Sequence, residues 1–237
     1  MLDPQITTVL FDLDGTLLPM ELEKFTNTYF GLLAKKAAPF GFQPEPLVAA
    51  VWKGTKAMVK NDGTETNDKR FWDTFAGEMG EEVLQLRPVF DGFYANEFHG
   101  AKAACGDNPL ARWAIDGLKA KGYDVVLATN PIFPLVGVET RLSWVGLRPE
   151  DFSYITAYEN STTCKPNPAY YAEILRKTGK RPQECLMVGN DATEDTAALE
   201  QGIGVYLVTD CLLNPKGRDI SGVPQGTFAA FLEFAGV

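Results

Sequence analysis

Two hydrophobic patterns alternate along most of the chain. Short apolar runs rich in β-branched residues predict strands at 6–11, 123–128, 154–156, 184–188 and 204–208. Apolar residues spaced three and four apart predict helices at about 108–122, 135–145, 167–177, 193–200 and 227–234. Because strands separated by helices of this length form right-handed βαβ units, we expect an α/β protein with a Rossmann-like parallel sheet between two helical layers.

The stretch between the first two predicted strands has a different character. For some ninety residues the apolar positions keep a helical period and no strand pattern occurs. Four helices rich in aromatic residues are predicted there, the third capped by Asn67 or Asp68. We therefore expect two units: an α/β core formed by residues 1–18 and 108–237, and an inserted helical bundle formed by residues 19–107.

Composition and charge narrow the class of protein. The 237 residues carry 22 Lys and Arg against 31 Asp and Glu, a net charge of −9, which argues against a nucleic-acid or anionic-membrane surface. There is no apolar stretch of membrane-spanning length and no N-terminal secretory signal. The four cysteines show no C-x-x-C pair, as expected for reduced thiols, so we predict a cytoplasmic protein with no membrane contact.

The most informative stretch is Val-Leu-Phe-Asp-Leu-Asp-Gly-Thr-Leu, residues 9–17. An apolar strand ends in two carboxylates, Asp12 and Asp14, and Gly15 then permits a sharp turn. Open α/β sheets bind ligands at the carboxyl ends of their strands. Since two neighbouring carboxylates repel each other unless a cation lies between them, this strand end predicts a site for a hard cation such as Mg²⁺.

The same stretch resembles the first motif of the haloacid dehalogenase superfamily, most of whose members are Mg²⁺-dependent phosphatases. Three later segments resemble the other motifs in the family's order: Thr129 in Leu-Ala-Thr-Asn, Lys165 in Cys-Lys-Pro-Asn-Pro, and Val-Gly-Asn-Asp-Ala-Thr-Glu-Asp at residues 188–195. The family usually has Gly-Asp in the last motif, whereas this chain has Gly-Asn-Asp. The resemblance identifies the inserted bundle as a helical cap domain, placed after the first motif.

The resemblance implies a role for each matching residue. Asp12 would be the nucleophile that forms an aspartyl-phosphate, and Asp14 the general acid and base. Mg²⁺ would be held by Asp12, the backbone carbonyl of Asp14 and Asp191. Thr129, the backbone N–H of Asn130 and Lys165 would hold phosphoryl oxygens, and Lys165 would also keep Asp12 ionised. Asp195 would contact the metal indirectly and could pair with Lys165, or it could lie in the first turn of the next helix for its favourable charge. Because of the Gly-Asn-Asp difference, the choice between Asp191 and Asp195 as the direct metal ligand stays open. Glu194 is expected to be solvated.

The expected function is hydrolysis of a small phosphorylated metabolite, with an unspecified oligomeric state. A phosphomutase would use the same residues. A dehalogenase would lack Asp14, and a phosphonate hydrolase would need a lysine in the cap, for which Lys53, Lys56 and Lys60 are candidates by location. From other classes, a phosphorylated signalling receiver and a non-catalytic protein that binds a phosphorylated ligand remain alternatives.

Overall fold

The computed structural model describes residues 2–237, so Met1 of the predicted core segment lies outside the described residues. The strands are β1 (Thr8–Phe11), β2 (Asp124–Leu127), β3 (Tyr154–Ile155), β4 (Cys185–Gly189), β5 (Gly204–Val208) and β6 (Gln225–Gly226). They form one sheet in the order β3-β2-β1-β4-β5-β6, and every neighbouring pair is parallel. The prediction of a parallel α/β fold is confirmed.

Four α-helices lie between β1 and β2 in the chain: α1 (Leu22–Ala37), α2 (Pro44–Val59), α3 (Asn67–Met79) and α4 (Arg87–Ala95). The other four are α5 (Leu110–Ala120), α6 (Leu135–Trp144), α7 (Pro168–Thr178) and α8 (Phe228–Ala235). We call residues 22–104, which end in a 3₁₀-helix at Glu97–Ala104, the helical insertion. The domain boundaries at residues 18–19 and 107–108 stay a prediction.

The sheet is covered on both faces because successive side chains of a strand point to opposite sides. In β1, Val9 and Phe11 pack in the cluster that also contains buried residues of α5, α8 and the helical insertion. Leu10, between them, packs in a second cluster with Tyr170 and Tyr171 of α7. All four residues of β1 are buried, as expected for a central parallel strand.

Two local predictions are wrong, and one short strand was not predicted. The cap of α3 is Thr66, whose hydroxyl accepts from the Lys69 N–H (3.3 Å); Asn67 is fully buried and donates to the Pro131 carbonyl (3.1 Å). The predicted helix at 193–200 is a 3₁₀-helix of six residues, Thr196–Gln201, because the Asp191 carboxylate accepts from the Thr193 and Glu194 N–H groups and holds the preceding residues in a turn. β6 was missed, since a Gln-Gly pair has no apolar pattern and joins the sheet through its backbone alone.

Candidate active site

The predicted motif residues lie at the carboxyl edge of the central strands. Phe11 of β1 is paired with Leu127 of β2 and with Val188 of β4. The residues that follow these three positions therefore reach the same edge of the sheet, and they include Asp12, Thr129 and Asp191. The parallel register alone thus brings three of the four motifs together.

Gly15 closes the loop that follows β1. Its φ of +91° lies in the left-handed region, which side chains disfavour, and a Cβ at this position would collide with the Asn190 side chain. Thr16 donates from its hydroxyl to Asn190 Oδ1 at 3.0 Å. The loop after β1 is therefore held directly against the loop after β4, which fixes Asp12 and Asp14 relative to Asp191.

Lys165 forms the centre of the site. Its side chain is fully buried, and its Nζ donates to Asp12 Oδ1 at 2.9 Å and to Asp195 Oδ1 at 2.7 Å. Burial alone would lower the pKa of Lys165, but Asp12 and Asp195 raise it well above its usual range, so the ammonium stays protonated. Asp195 accepts from the Asp191 N–H at 2.8 Å with its other oxygen, so it contacts Lys165 and the loop after β4 at once.

Asp12 lies in an environment with an excess of negative charge. Burial raises the pKa of its carboxyl group to about 7, with further contributions from Asp195 and Asp14, although Lys165 opposes the shift. Within residues 2–237 no group donates a hydrogen bond to Asp12 Oδ2. A second positive charge beside that oxygen would stabilise the ionised form.

The oxygen atoms available at this edge of the sheet suit Mg²⁺ as ligands. Asp191 Oδ1 accepts from the N–H groups of Thr193 (2.6 Å) and Glu194 (2.8 Å), which orients the carboxylate, and within residues 2–237 nothing donates to its Oδ2. No three His, Cys, Asp or Glu side chains between residues 2 and 237 form a cluster able to hold a metal ion. A site made of two carboxylates, Asp12 and Asp191, with the Asp14 carbonyl would suit an ion that keeps several waters, as Mg²⁺ does.

Glu194 is partly buried and hydrogen-bonded within the site, whereas the sequence predicts a solvated side chain. Its carboxylate accepts from Asn130 Nδ2 at 3.1 and 3.0 Å, and Asn130 Oδ1 in turn accepts from the Lys165 N–H at 3.2 Å. Burial raises the pKa of Glu194 to about 8, and Asp195, Asp191 and Asp12 add to the shift. Sequence analysis missed this contact because Glu194 follows a turn, and the turn directs its side chain back toward the strand ends.

Thr129 lies two residues after the end of β2, and its side chain is almost completely buried. Its backbone carbonyl accepts from Thr156 Oγ1 at 2.7 Å and from the Tyr170 hydroxyl at 2.8 Å, which holds the end of the strand in place. Within residues 2–237 no hydrogen bond involves the Thr129 hydroxyl or the Asn130 backbone N–H. Both groups are available to a phosphoryl oxygen.

Arg141 is a residue of the site that sequence analysis missed. It comes from α6, is fully buried, forms an ion pair with Asp14, and lies over the Phe133 ring with its guanidinium carbon 4.2 Å from the centroid. Its Nη2 and the Asp14 Oδ1 are buried, and neither has a hydrogen-bond partner within residues 2–237. The signal was present in the sequence, because Arg141 lies between Val138 and Leu142 on the buried face of its helix.

Comparison with known proteins agrees with this geometry. The family model described as haloacid dehalogenase-like hydrolase matches residues 6–202, which is most of the chain. The chain belongs to this family. It is 26% identical over 208 residues to the phosphoglycolate phosphatase of Shigella dysenteriae, covering 83% of this chain and 79% of that protein. It is also 26% identical over 208 residues to the glyceraldehyde 3-phosphate phosphatase of Methanothermobacter thermautotrophicus, covering 86% and 85%.

Among solved structures, the 2-haloacid dehalogenase of Pseudomonas syringae superposes on this chain with a TM-score of 0.60 at 19% sequence identity, and the match covers 98% of each chain. This similarity is one of fold. The curated relatives are phosphatases by name, so the prediction of a phosphatase of the haloacid dehalogenase-like family is confirmed. Within residues 2–237, none of the helices of this hydrolase combines the length and apolarity needed to cross a membrane.

This haloacid dehalogenase-like hydrolase has a cavity of about 180 Å³ between its helical insertion and the loop after β2. Asp14 forms part of the wall, and Leu22 and Trp52, each more than half exposed, lie at the rim.

Proposed function

We propose that the protein is a Mg²⁺-dependent phosphatase that hydrolyses a small phosphate monoester through an aspartyl-phosphate on Asp12. The observation that carries this proposal is the pairing of Asp12 with the buried ammonium of Lys165 at the carboxyl end of β1. The membership in a family with phosphatase relatives supports it.

In the first step an oxygen of Asp12 attacks phosphorus, and the bond from phosphorus to the leaving oxygen breaks. Asp14, two residues further along the same loop, donates a proton to that leaving oxygen. Lys165, the Thr129 hydroxyl and the Asn130 N–H hold the other phosphoryl oxygens. Because Asp195 fixes Lys165 from the opposite side, the ammonium is positioned before the substrate arrives.

In the second step Asp14 takes a proton from a water molecule, which attacks phosphorus and releases inorganic phosphate. Asp12 regains its carboxylate, and Lys165 stabilises it. The metal ion would be held by Asp12, the Asp14 carbonyl and Asp191, and its charge would offset the negative charge of the carboxylates and the phosphoryl group. Mg²⁺ is typical of phosphatases in this family.

The geometry disfavours three alternatives. Lys53, Lys56 and Lys60 are exposed and do not line the cavity, and Lys53 pairs with Glu78, so none is placed as the cap lysine of a phosphonate hydrolase. The strand order 3-2-1-4-5 differs from the 2-1-3-4-5 order of signalling receivers. A dehalogenase would not need Asp14, which here lies in the same loop as Asp12 and pairs with Arg141.

The test is phosphate release from a panel of phosphate monoesters, with Mg²⁺ and with a chelator, by wild type, Asp12→Asn and Asp73→Asn. Asp12→Asn removes the nucleophile and should lower kcat by about 10⁴-fold or more. Asp73→Asn makes the same chemical change at an exposed surface ion pair with Lys69 and should leave turnover unchanged. Turnover in Asp12→Asn close to that of wild type, or turnover in the chelator, would refute the proposal.

A further inference from the structure

The cavity described above adjoins the side of the site where the leaving group must lie. Asp14, the residue proposed to protonate the leaving oxygen, is part of its wall, whereas Lys165 and Thr129 are not. The phosphoryl group therefore binds on the side of Lys165, and the rest of the ester points past Asp14 into the cavity. What lines the cavity then determines which alcohols can leave.

The lining is mainly aromatic. Eleven of the 21 lining residues are Phe, Tyr or Trp. They come from all four helices of the insertion and from the loops after β2 and β3, and include Phe25, Phe71, Trp72, Phe90, Tyr94 and Phe133. Aromatic side chains on opposite walls favour a flat apolar group between them, through burial of apolar area and edge-to-face contact.

The charge of the lining also favours an uncharged, apolar group. The charged residues among the 21 are Asp14 and Asp91, and both are acidic; no Lys or Arg is among them. Arg141 contacts two lining residues, Asp14 and Phe133, but does not itself line the cavity, and its Nη1 is paired with Asp14. A leaving group that carries a carboxylate or a second phosphate would enter without a counter-charge and close to two carboxylates, which makes its binding unfavourable.

The size limits the group further. An apolar cavity of about 150 Å³ accommodates one benzene ring, and this cavity measures about 180 Å³. We propose that the substrate is a phosphate monoester of an uncharged alcohol or phenol whose apolar part is a single aromatic ring or a branched alkyl group of similar size. This inference rests on the proposed phosphatase function and names the substrate class of the same site.

The test compares benzyl phosphate, methyl phosphate and 2-phosphoglycolate as substrates of the Mg²⁺-loaded enzyme. Benzyl alcohol and methanol are similarly acidic leaving groups. The ratio of kcat/KM for benzyl phosphate to kcat/KM for methyl phosphate therefore reports binding of the ring rather than leaving-group reactivity. We expect kcat/KM for benzyl phosphate to exceed that for methyl phosphate by about 10-fold or more, the usual effect of burying an apolar group of this size. 2-Phosphoglycolate should be the poorest of the three.

Val51→Phe and Val59→Phe form a matched pair of variants on α2. Val51 lines the cavity, whereas Val59 is 45% exposed and does not. Val51→Phe fills the cavity and should abolish the benzyl preference, whereas Val59→Phe should retain it. Thr55→Leu, a smaller intrusion into the same cavity, replaces Val51→Phe if circular dichroism shows that the larger side chain prevents folding.

Direct binding of benzyl alcohol, measured by calorimetry on the same proteins, separates failure of this inference from failure of the phosphatase proposal. Saturable binding by wild type that weakens about 10-fold in Val51→Phe or Thr55→Leu, but not in Val59→Phe, supports the inference even if no ester is hydrolysed. Absence of benzyl alcohol binding, equal kcat/KM for benzyl and methyl phosphate, or a preference for 2-phosphoglycolate would overturn it.

Discussion

Gly189 is the position where one added methyl group should damage the site most specifically. It ends β4, and a Cβ built on it would overlap the Asp195 carboxylate, with even the most distant of the three contacted atoms, Oδ1, only 2.7 Å away. Real Cβ atoms essentially never lie closer than 3.0 Å to such an atom, so the carboxylate has to move. Because Asp195 is 1% exposed and bonded to Lys165 and to the Asp191 N–H, it cannot move without breaking those bonds.

The expected loss of stability follows from disrupting the buried ion pair between Lys165 and Asp195. Separating one partner from a buried ion pair costs about 3–5 kcal/mol. For a chain of this size each kcal/mol lowers Tm by about 2–4 °C, so Gly189→Ala should melt roughly 6–20 °C below wild type. Since Lys165 loses the group that positions it, kcat should also fall by about 10- to 100-fold, as for other supporting residues of active sites.

The assay is thermal unfolding followed by circular dichroism, with phosphate release measured well below both melting temperatures. Gly31→Ala is the matched control, because a Cβ there meets nothing within 4 Å, and it lies inside α1. Alanine at an open helical position should leave activity unchanged and raise stability by up to about 1 kcal/mol. If Gly189→Ala melted and turned over like wild type, Asp195 would not be the support of Lys165 that we describe.

Two further predictions concern other buried groups. Arg141→Met removes one partner of the buried ion pair with Asp14, so Tm should fall, and kcat measured below both melting temperatures should fall about 10-fold or more. A lower Tm with an unchanged kcat would mean that Arg141 is only structural. Burial raises the pKa of Cys164 to about 12 and of Cys185 to about 11. Both thiols should therefore react with iodoacetamide at pH 8 only after unfolding, which peptide mass spectrometry would show. Rapid labelling of the native protein would contradict their burial.

The sheet and the four motif segments were predictable because each depends on local sequence. A buried strand needs a short apolar run, and the parallel register then carries the residue after each run to one edge. Asp12, Thr129 and Asp191 meet for that reason.

The rest depends on contacts between distant segments, which periodicity does not encode. Arg141 reaches Asp14 from a helix 127 positions away, and Glu194 turns back to Asn130 across 64 positions. Helical spacing in the insertion predicts which aromatic residues are buried. It does not tell whether buried rings such as Phe25 and Phe75 meet each other or line a cavity.

The central claim, covalent transfer of a phosphoryl group to Asp12, is tested most directly by trapping the intermediate. The enzyme would be mixed with Mg²⁺ and an excess of a hydrolysed ester, quenched in acid during steady turnover, and digested for mass spectrometry. The account predicts a phosphoryl adduct on the peptide that contains Asp12, at the aspartate itself, and no adduct in Asp12→Asn. Steady phosphate release with that peptide unmodified, or with the adduct on another residue, would contradict it.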